Sequence, residues 1–162
     1  MRLLRHLFAP SAHRLFPPAR LDAIAATIAA AEQSHRGEVM FVVESNLSSG
    51  VLLRGMRPRA RAEQAFAHLR TWDTEANNGV LIYLLLADHA IEIVADRGLR
   101  GKVTDAQWRE ICRRLEQGLR GGEIDTAIND AIQAVSELLA EHFPRVAGEP
   151  DQDELPNRPQ LL

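Results

Sequence analysis

The sequence predicts a single-domain α/β/α sandwich, in which about four helices cover a small mixed β-sheet. Residues 79–86 form an apolar run without proline, which is typical of a strand that is buried on both faces and lies mid-sheet. Residues 91–96 alternate apolar and polar side chains, as a strand with one covered face does. Residues 38–43 form a third short strand, and the other long segments carry the apolar spacing of amphipathic helices.

The order of these elements predicts how the strands pair. The strand at residues 38–43, a helix near residues 58–71 and the strand at residues 79–86 make a βαβ unit. The two strands of such a unit are parallel, with a right-handed crossover between them. The third strand returns from a tight turn and is therefore antiparallel, which makes the sheet mixed. If Asp88 and His89 form that turn, Leu86 pairs with Ile91.

The helices are identified from apolar positions three and four residues apart, which lie on one helix face. Thr104 and Gln107 have the spacing of a capping box at the start of the third helix. Gly121 and Gly122 separate that helix from the last and longest one. The expected ranges are residues 19–34, 58–71, 105–118 and 123–142.

Composition excludes several classes of protein. A length of 162 residues suits one domain with its own core. A net charge of −3 and the absence of a basic cluster with interleaved aromatic residues argue against nucleic-acid binding. The single cysteine, Cys112, excludes an intrachain disulfide and a thiolate metal cage. No apolar run approaches the roughly 20 residues that span a bilayer, and no secretory signal is evident, so we expect a cytoplasmic protein.

The two ends differ in composition from the domain between them, which we place at residues 19–144. Residues 1–18 form a basic arm without acidic residues, and leucines within residues 2–8 make one face of a short helix. That face either rests on a membrane surface or packs on the domain, and the second interpretation is favoured because so short a helix is weak by itself. Residues 145–162 are rich in proline and acidic residues, and we expect a disordered tail there.

Several motifs together resemble one known family. Glu38 precedes an apolar strand, TWDTEANNGVLIYLLL contains the central strand, the hairpin ends in ADRGL, and the last helix closes on HFP. This order resembles the TPM domain family over about residues 21–144. The family includes thylakoid lumen proteins linked to photosystem repair, many bacterial proteins and a nematode receptor modulator. The resemblance implies an α/β/α fold.

The resemblance also implies three kinds of activity. Some members of the family are described as acid phosphatases, some bind calcium or another divalent ion, and others are interaction domains. Many members have an acidic pair just before the glycine of the central strand, where this chain has Asn77 and Asn78. Because cation affinity increases with the charge of the ligands, a site built on these amides should bind Ca²⁺ or Mg²⁺ weakly.

Topology predicts a candidate metal site independently of the family. The first two strands begin, and the third ends, at the same end of the sheet. This arrangement should bring together the oxygen-bearing side chains that hard cations prefer, with Arg97 available for a phosphate or another ligand. Alternatively, Asn77 and Asn78 only turn the chain, and Asp96 caps a turn. The candidate metal ligands are Glu38, Asp73, Asn77, Asn78 and Asp96.

A second candidate cluster lies at the opposite end of the sheet and contains Glu44, Asp88 and His89. The carboxyl ends of parallel strands are common ligand sites, and Asp88 with His89 would make an acid/base pair. The alternative, which the sequence favours, is an ordinary solvated turn.

Two functions of different classes remain. The favoured function is a non-catalytic interaction module that binds a protein partner and binds a divalent cation weakly. The alternative is a metal-dependent phosphatase that hydrolyses phosphomonoesters, with the ion polarising a phosphoryl oxygen. The sequence favours the first because it lacks both the acidic pair and an evident nucleophile.

Overall fold

The computed structural model describes residues 2–148 and 153–162. Its strands are β1 (Glu38–Glu44), β2 (Gly79–Leu85), β3 (Ala90–Ala95) and β4 (Gln160–Leu161). They form one sheet in the order β3–β2–β1–β4, in which β1 is parallel to both β2 and β4, and β3 is antiparallel to β2. The helices are α1 (Arg2–Leu7), α2 (Ala12–Leu15), α3 (Pro18–Ala31), α4 (Ser49–Leu53), α5 (Pro58–His68), α6 (Asp105–Gly121) and α7 (Ile124–His142).

Helices cover both faces of the sheet. Alternate residues of β1 and β2, such as Phe41 and Ile82, pack with α3, α6 and α7 in the larger part of the core. Their neighbours, such as Met40 and Tyr83, pack with α4 and α5 on the other face. All seven residues of both strands are buried, which explains their continuous apolar character. The predicted α/β/α sandwich with a mixed sheet is confirmed.

The hairpin between β2 and β3 differs from the prediction in its register. Leu84 pairs with Ile91 and Leu85 with Ala90, so the expected pairing of Leu86 with Ile91 is wrong. The turn is longer than two residues because residues 86–88 form a 3₁₀ turn and His89 adopts a left-handed conformation with φ of 51°. The longer loop moves the register by two residues and keeps the same faces of β3 covered.

The N-terminal arm contains α1 and α2, and it contributes to the core at residues other than those expected. Phe16 is only 2% exposed and packs with the core beneath α3. The leucines of α1 do not pack on the domain: Leu7 is 66% exposed, and Phe8 just after it is 81% exposed. The interpretation that these apolar side chains cover the domain is wrong, because the buried side chain of this helix is His6.

The C-terminal segment also differs from the expected disordered tail where the structure describes it. Leu155 is buried among side chains of the α5 face, and β4 pairs with Val42 and Val43 of β1. The proline-rich composition that suggested disorder instead fits an extended segment against the sheet edge. Residues 149–152, which belong to the same predicted tail, lie outside the described residues.

None of the described helices combines the length and apolar character that a membrane crossing needs.

Candidate functional site

The two asparagines before β2 sit in a tightly constrained turn. Asn77 has φ of 52°, a left-handed conformation that asparagine tolerates better than most residues. Its carbonyl oxygen accepts a hydrogen bond of 2.9 Å from the Gly98 backbone. A Cβ atom at Gly98 would lie 2.4 Å from that oxygen, so this crossing of the two chain segments requires glycine. The turn therefore fixes the position of the asparagines relative to the end of β3.

The side chain of Asn77 is committed to Arg97. Its Oδ1 atom accepts a hydrogen bond of 2.8 Å from Nε of Arg97. The neighbouring Asp96 uses Oδ1 to accept a bond of 2.7 Å from the Arg97 backbone and thereby caps a short 3₁₀ turn. Its Oδ2 atom is buried and has no hydrogen-bond partner among the described residues. Among the described residues, Asp96 thus keeps one carboxylate oxygen without a hydrogen-bond partner, whereas the side-chain oxygen of Asn77 is bonded to Arg97.

Asn78 is fully buried and acts mainly as a structural link. Its Nδ2 atom donates a bond of 2.8 Å to the carbonyl oxygen of Arg36, and its backbone N–H donates to Oγ1 of Thr74. The remaining amide oxygen, Oδ1, is buried and has no donor within the part of the chain that the structure describes. A buried amide oxygen without a donor is uncommon and costs stability.

The three carboxylates of the predicted metal site do not converge. Asp73 is half exposed and forms an ion pair of 2.5 Å with Arg70. Among the described residues, the acidic group whose ligand atoms all lie within 4.8 Å of one another is Glu32, Glu38 and Asp153, which includes neither Asp73 nor Asp96. The structure therefore brings Asn77 close to Arg97, with Asp96 next to it, and does not gather Glu38, Asp73 and Asp96 into one group within that distance.

Glu38 faces the C-terminal segment. Its carboxylate accepts hydrogen bonds of 3.3 Å from the backbone N–H groups of Glu154 and Leu155. Burial raises the pKa of Glu38 to about 7, although these two donors oppose the shift. The Glu32 carboxylate nearby accepts a bond of 3.0 Å from the backbone of Val39. The Glu38 carboxylate thus holds the backbone of the C-terminal segment, and the Glu32 carboxylate holds the backbone at the start of β1.

At the opposite end of the sheet, Glu44 belongs to a buried hydrogen-bonded network. Arg61 forms a bidentate ion pair with its carboxylate, at 2.9 Å from Nε to Oε2 and from Nη2 to Oε1. The Tyr83 hydroxyl donates to the same carboxylate over 2.5 Å. Burial and this hydrogen bond raise the pKa of Tyr83 above its ordinary value. We interpret the network as structural, because the polar groups of all three side chains have hydrogen-bond partners within it.

Asp88 contacts the N-terminal arm, whereas His89 is exposed. Nη2 of Arg2 lies 2.7 Å from Oδ2 of Asp88, and Nε2 of His6 lies 3.1 Å from Oδ1. Burial raises the pKa of Asp88, but the hydrogen bonds from Arg2 and His6 outweigh it and hold that pKa below its ordinary value. Because the carboxylate is occupied and His89 is exposed, the two do not form the predicted acid/base pair.

A broad depression runs between β3 and α6. It has a volume of about 1000 Å³, and we call it the β3–α6 trough. Asp96 and Arg97 lie at one end of it and His89 at the other. Its charged lining is Arg59, Glu92, Asp96, Arg97, Arg100, Asp105, Arg109, Arg113 and Glu116.

Cys112 lies in the floor of the trough. Burial raises the pKa of its thiol to about 11, so the reactive thiolate is scarce at neutral pH.

Sequence reasoning did not identify Arg100 or Arg109 as site residues. Arg109 occupies the polar side of an amphipathic helix, where a charged residue is ordinary, and Arg100 lies in a connecting loop. Only the packing of α6 beside the edge strand brings them into one trough with Arg97. Asp153 was missed for a similar reason, because its segment was expected to be disordered.

Comparison with known proteins gives one family and two similar folds. The model of the TPM domain family matches residues 12–138. The BA42 protein from the psychrophilic bacterium Bizionia argentinensis is 28% identical, with a TM-score of 0.71 over 86% of this chain and 90% of that chain. The N-terminal domain of cg2496 from Corynebacterium glutamicum is 14% identical, with a TM-score of 0.58 over 88% and 86%, a likeness of fold alone. No curated protein matches this sequence.

Proposed function

Because this chain belongs to the TPM domain family, whose model matches residues 12–138, we propose that it is a non-catalytic interaction module that binds an acidic protein partner in the β3–α6 trough. One observation carries the proposal. Arg97, Arg100 and Arg109 all line the trough, and within the described parts of the chain none of them forms an ion pair with a carboxylate. Guanidinium groups without a carboxylate partner are suited to bind carboxylates presented by another protein.

The partner is recognised through side chains rather than by adding a strand to the sheet. β3 is an edge strand, and strand addition needs its outward backbone groups. Nη1 of Arg59 donates to the carbonyl oxygen of Ile93 over 2.5 Å, and the Ile93 backbone also interacts with the Cys112 sulfur. The backbone groups of Ile93, at the middle of this edge, are therefore already bonded to side chains of the same protein. This supports binding by the arginine side chains.

The alternative function, phosphomonoester hydrolysis through a divalent ion, has less support. Its proposed carboxylates, Glu38, Asp73 and Asp96, are not grouped within ligand distance of one another. Arg97 remains available to a phosphate only through its Nη atoms, because its Nε atom is bonded to Asn77. The thiol of Cys112 is a poor nucleophile at neutral pH.

The predicted donor set fits a divalent cation poorly. Two oxygens near this end of the sheet lack a hydrogen-bond donor among the described residues, Oδ1 of Asn78 and Oδ2 of Asp96. They supply one charged and one neutral ligand, whereas calcium takes six to eight oxygens and gains affinity from their charge. We therefore propose that Ca²⁺ or Mg²⁺ binding is weak and has no part in the interaction.

The proposal is tested with a fluorescent acidic peptide, for example fifteen residues with eight glutamates, by anisotropy at two salt concentrations. We expect the triple variant R97E/R100E/R109E to bind at least about tenfold more weakly, since each exposed ion pair contributes roughly 0.2–1 kcal/mol and reversal adds repulsion. The matched control, R54E/R114E/R120E, changes the net charge equally at exposed arginines outside the trough lining.

Two results would contradict the proposal. One is equal loss of binding in the triple variant and its control, which would indicate attraction by net charge alone. The other is a magnesium-dependent hydrolysis of p-nitrophenyl phosphate that Asp96→Asn abolishes, which would favour the phosphatase.

A further inference from the structure

Helix α1 is attached to the domain in an unusual orientation, with polar side chains inward and apolar side chains outward. His6 is 4% exposed, whereas Leu4 is 56% exposed and Leu7 is 66% exposed. An amphipathic helix on a globular protein normally does the reverse and buries its apolar face. The exposed face of α1 is therefore not explained by the packing of this domain.

Three polar contacts fix that orientation. Nη2 of Arg2 lies 2.7 Å from Oδ2 of Asp88, and Nη1 of Arg2 donates over 2.7 Å to the carbonyl oxygen of Met56. Nδ1 of His6 accepts a bond of 2.9 Å from the backbone N–H of Leu47. These contacts hold the helix at both of its turns, so its outer face is presented without a further ordering step.

The outer face of α1 and the residue that follows the helix carry several exposed apolar side chains. Leu3, Leu4, Leu7 and Phe8 are all exposed, the last of them to 81%. Leu53, which is 82% exposed, lies between Leu47 and Met56, the two points where that segment contacts α1. Clustered exposed apolar residues on a folded domain indicate an interaction surface.

The charge around this surface is positive, although the chain as a whole has a net charge of −3. Residues 2–16 contain three arginines and no acidic residue. Arg5 and Arg14 are exposed and form no ion pair with any described residue. The domain therefore combines protruding leucines and a phenylalanine with uncompensated positive charge at one place, which is the composition of interfacial membrane anchors.

We propose that α1 and Phe8 dock this domain on an anionic lipid surface, with Leu4, Leu7 and Phe8 inserted at the level of the headgroups and Arg5 and Arg14 against the lipid phosphates. These exposed apolar side chains stand beside arginines without a described ion-pair partner, a combination that suits insertion into an anionic lipid layer. The surface uses none of the trough arginines, so this inference goes beyond the proposed partner binding and is independent of it.

The test is sedimentation of the full chain with vesicles. Phosphatidylcholine vesicles and vesicles with 30% phosphatidylglycerol are compared at low and at high salt. We expect binding to the anionic vesicles that weakens with salt, and little binding to the neutral ones. Leu7→Ser with Phe8→Ser should weaken binding by about a hundredfold if both side chains are fully buried in the lipid, because burial of each contributes about tenfold or more.

Two control variants separate this surface from general effects. Val146→Ser with Trp72→Ser removes two exposed apolar side chains elsewhere and should bind as the wild type does. Arg5→Glu with Arg14→Glu should reduce binding to anionic vesicles, whereas Arg113→Glu with Arg114→Glu on α6 should reduce it less. Thermal melting checks that every variant remains folded.

Three results would overturn the proposal. They are absence of wild-type binding to anionic vesicles, equal binding to neutral and anionic vesicles, and unchanged binding of the Leu7 and Phe8 variant. A concentration-dependent dimer that the same variant abolishes, without vesicle binding, would assign the surface to a second copy of this chain instead.

Discussion

The backbone N–H of Leu155 lies 3.3 Å from a carboxylate oxygen of Glu38, a residue 117 positions earlier in the chain. The Glu154 N–H makes the same contact with the other oxygen. Glu38 thus receives two donors from a segment whose composition suggested disorder. The contact connects the start of β1 to the C-terminal segment and gives a buried carboxylate its hydrogen bonds.

Removal of residues 153–162 should destabilise the domain, although the composition of this segment suggested a disordered tail. Leu155→Ala should by itself lower the free energy of unfolding by about 2–3 kcal/mol, because the side chain is 7% exposed and packs with the core. Urea denaturation measures both effects. Val146→Ala, at a side chain that is 47% exposed, is the matched control and should change stability little. Equal stability of the full and shortened chains would mean that the segment does not stay docked in solution.

The buried Glu38 should make stability fall as the pH rises. Its pKa is raised from 4.5 to about 7 in the folded protein, so between these values the folded state binds the extra proton. The corresponding stabilisation is complete below pH 4.5 and is lost as the pH rises through 7; its upper limit is about 3 kcal/mol. Glu38→Gln should remove this dependence when urea melts are compared between pH 4.5 and 8. The exposed Glu141→Gln should retain it, and a wild type whose stability is flat over that range would contradict the assignment.

Substitution of a core residue within β2 should lower the free energy of unfolding more than substitution of a residue in the turn before that strand. Ile82→Ala should cost roughly 2–5 kcal/mol, since its side chain is fully buried between the helices and the sheet. Asn77→Ala should cost about 1–2 kcal/mol because alanine is strained at a φ of 52°. Asn77→Gly keeps that conformation accessible and should cost less than Asn77→Ala. If glycine and alanine at this position are equally destabilising in urea melts, the loss comes from the Arg97 hydrogen bond rather than from the backbone.

Calcium should raise the melting temperature only slightly, with a dissociation constant no tighter than roughly 10⁻⁴–10⁻³ M. The stabilisation follows RT ln(1 + [L]/Kd), so a titration by thermal shift up to several millimolar measures it. Arg97→Ala frees the Asn77 oxygen and should strengthen the response, while Asp96→Asn removes the charge of the buried Asp96 carboxylate oxygen that has no donor among the described residues, and should abolish it. A strong response in the wild type would mean that the side chains rearrange around the ion.

Local sequence patterns predicted the architecture well. The apolar run of β2, the alternation in β3 and the capping box of Thr104 and Gln107 all correspond to observed elements. These signals depend on residues close together in the chain, and the burial they reflect is determined by the sheet itself. The family resemblance is confirmed by the match over residues 12–138.

Contacts between distant segments were not predictable in the same way. Topology correctly placed Asn77 and Arg97 at one end of the sheet, but it could not specify that the two would bond to each other and thereby occupy a proposed metal ligand. The docking of Glu38 on Leu155 and of Asp88 on Arg2 joins segments far apart in the chain, and the apolar spacing within each segment does not specify its partner. Whether a polar side chain faces a ligand or another residue is decided by such contacts.

The contacts at Ile93 also bear on how the protein behaves when it is concentrated. An open edge strand can pair with the same strand of another molecule, and repeated pairing extends a sheet from chain to chain into an aggregate. In this domain the guanidinium of Arg59 occupies the outward carbonyl oxygen at the centre of β3, and Cys112 interacts with the same residue's backbone. Two side chains from neighbouring helices thus interrupt the middle of this edge, and we expect them to oppose polymerisation of the domain through its own sheet.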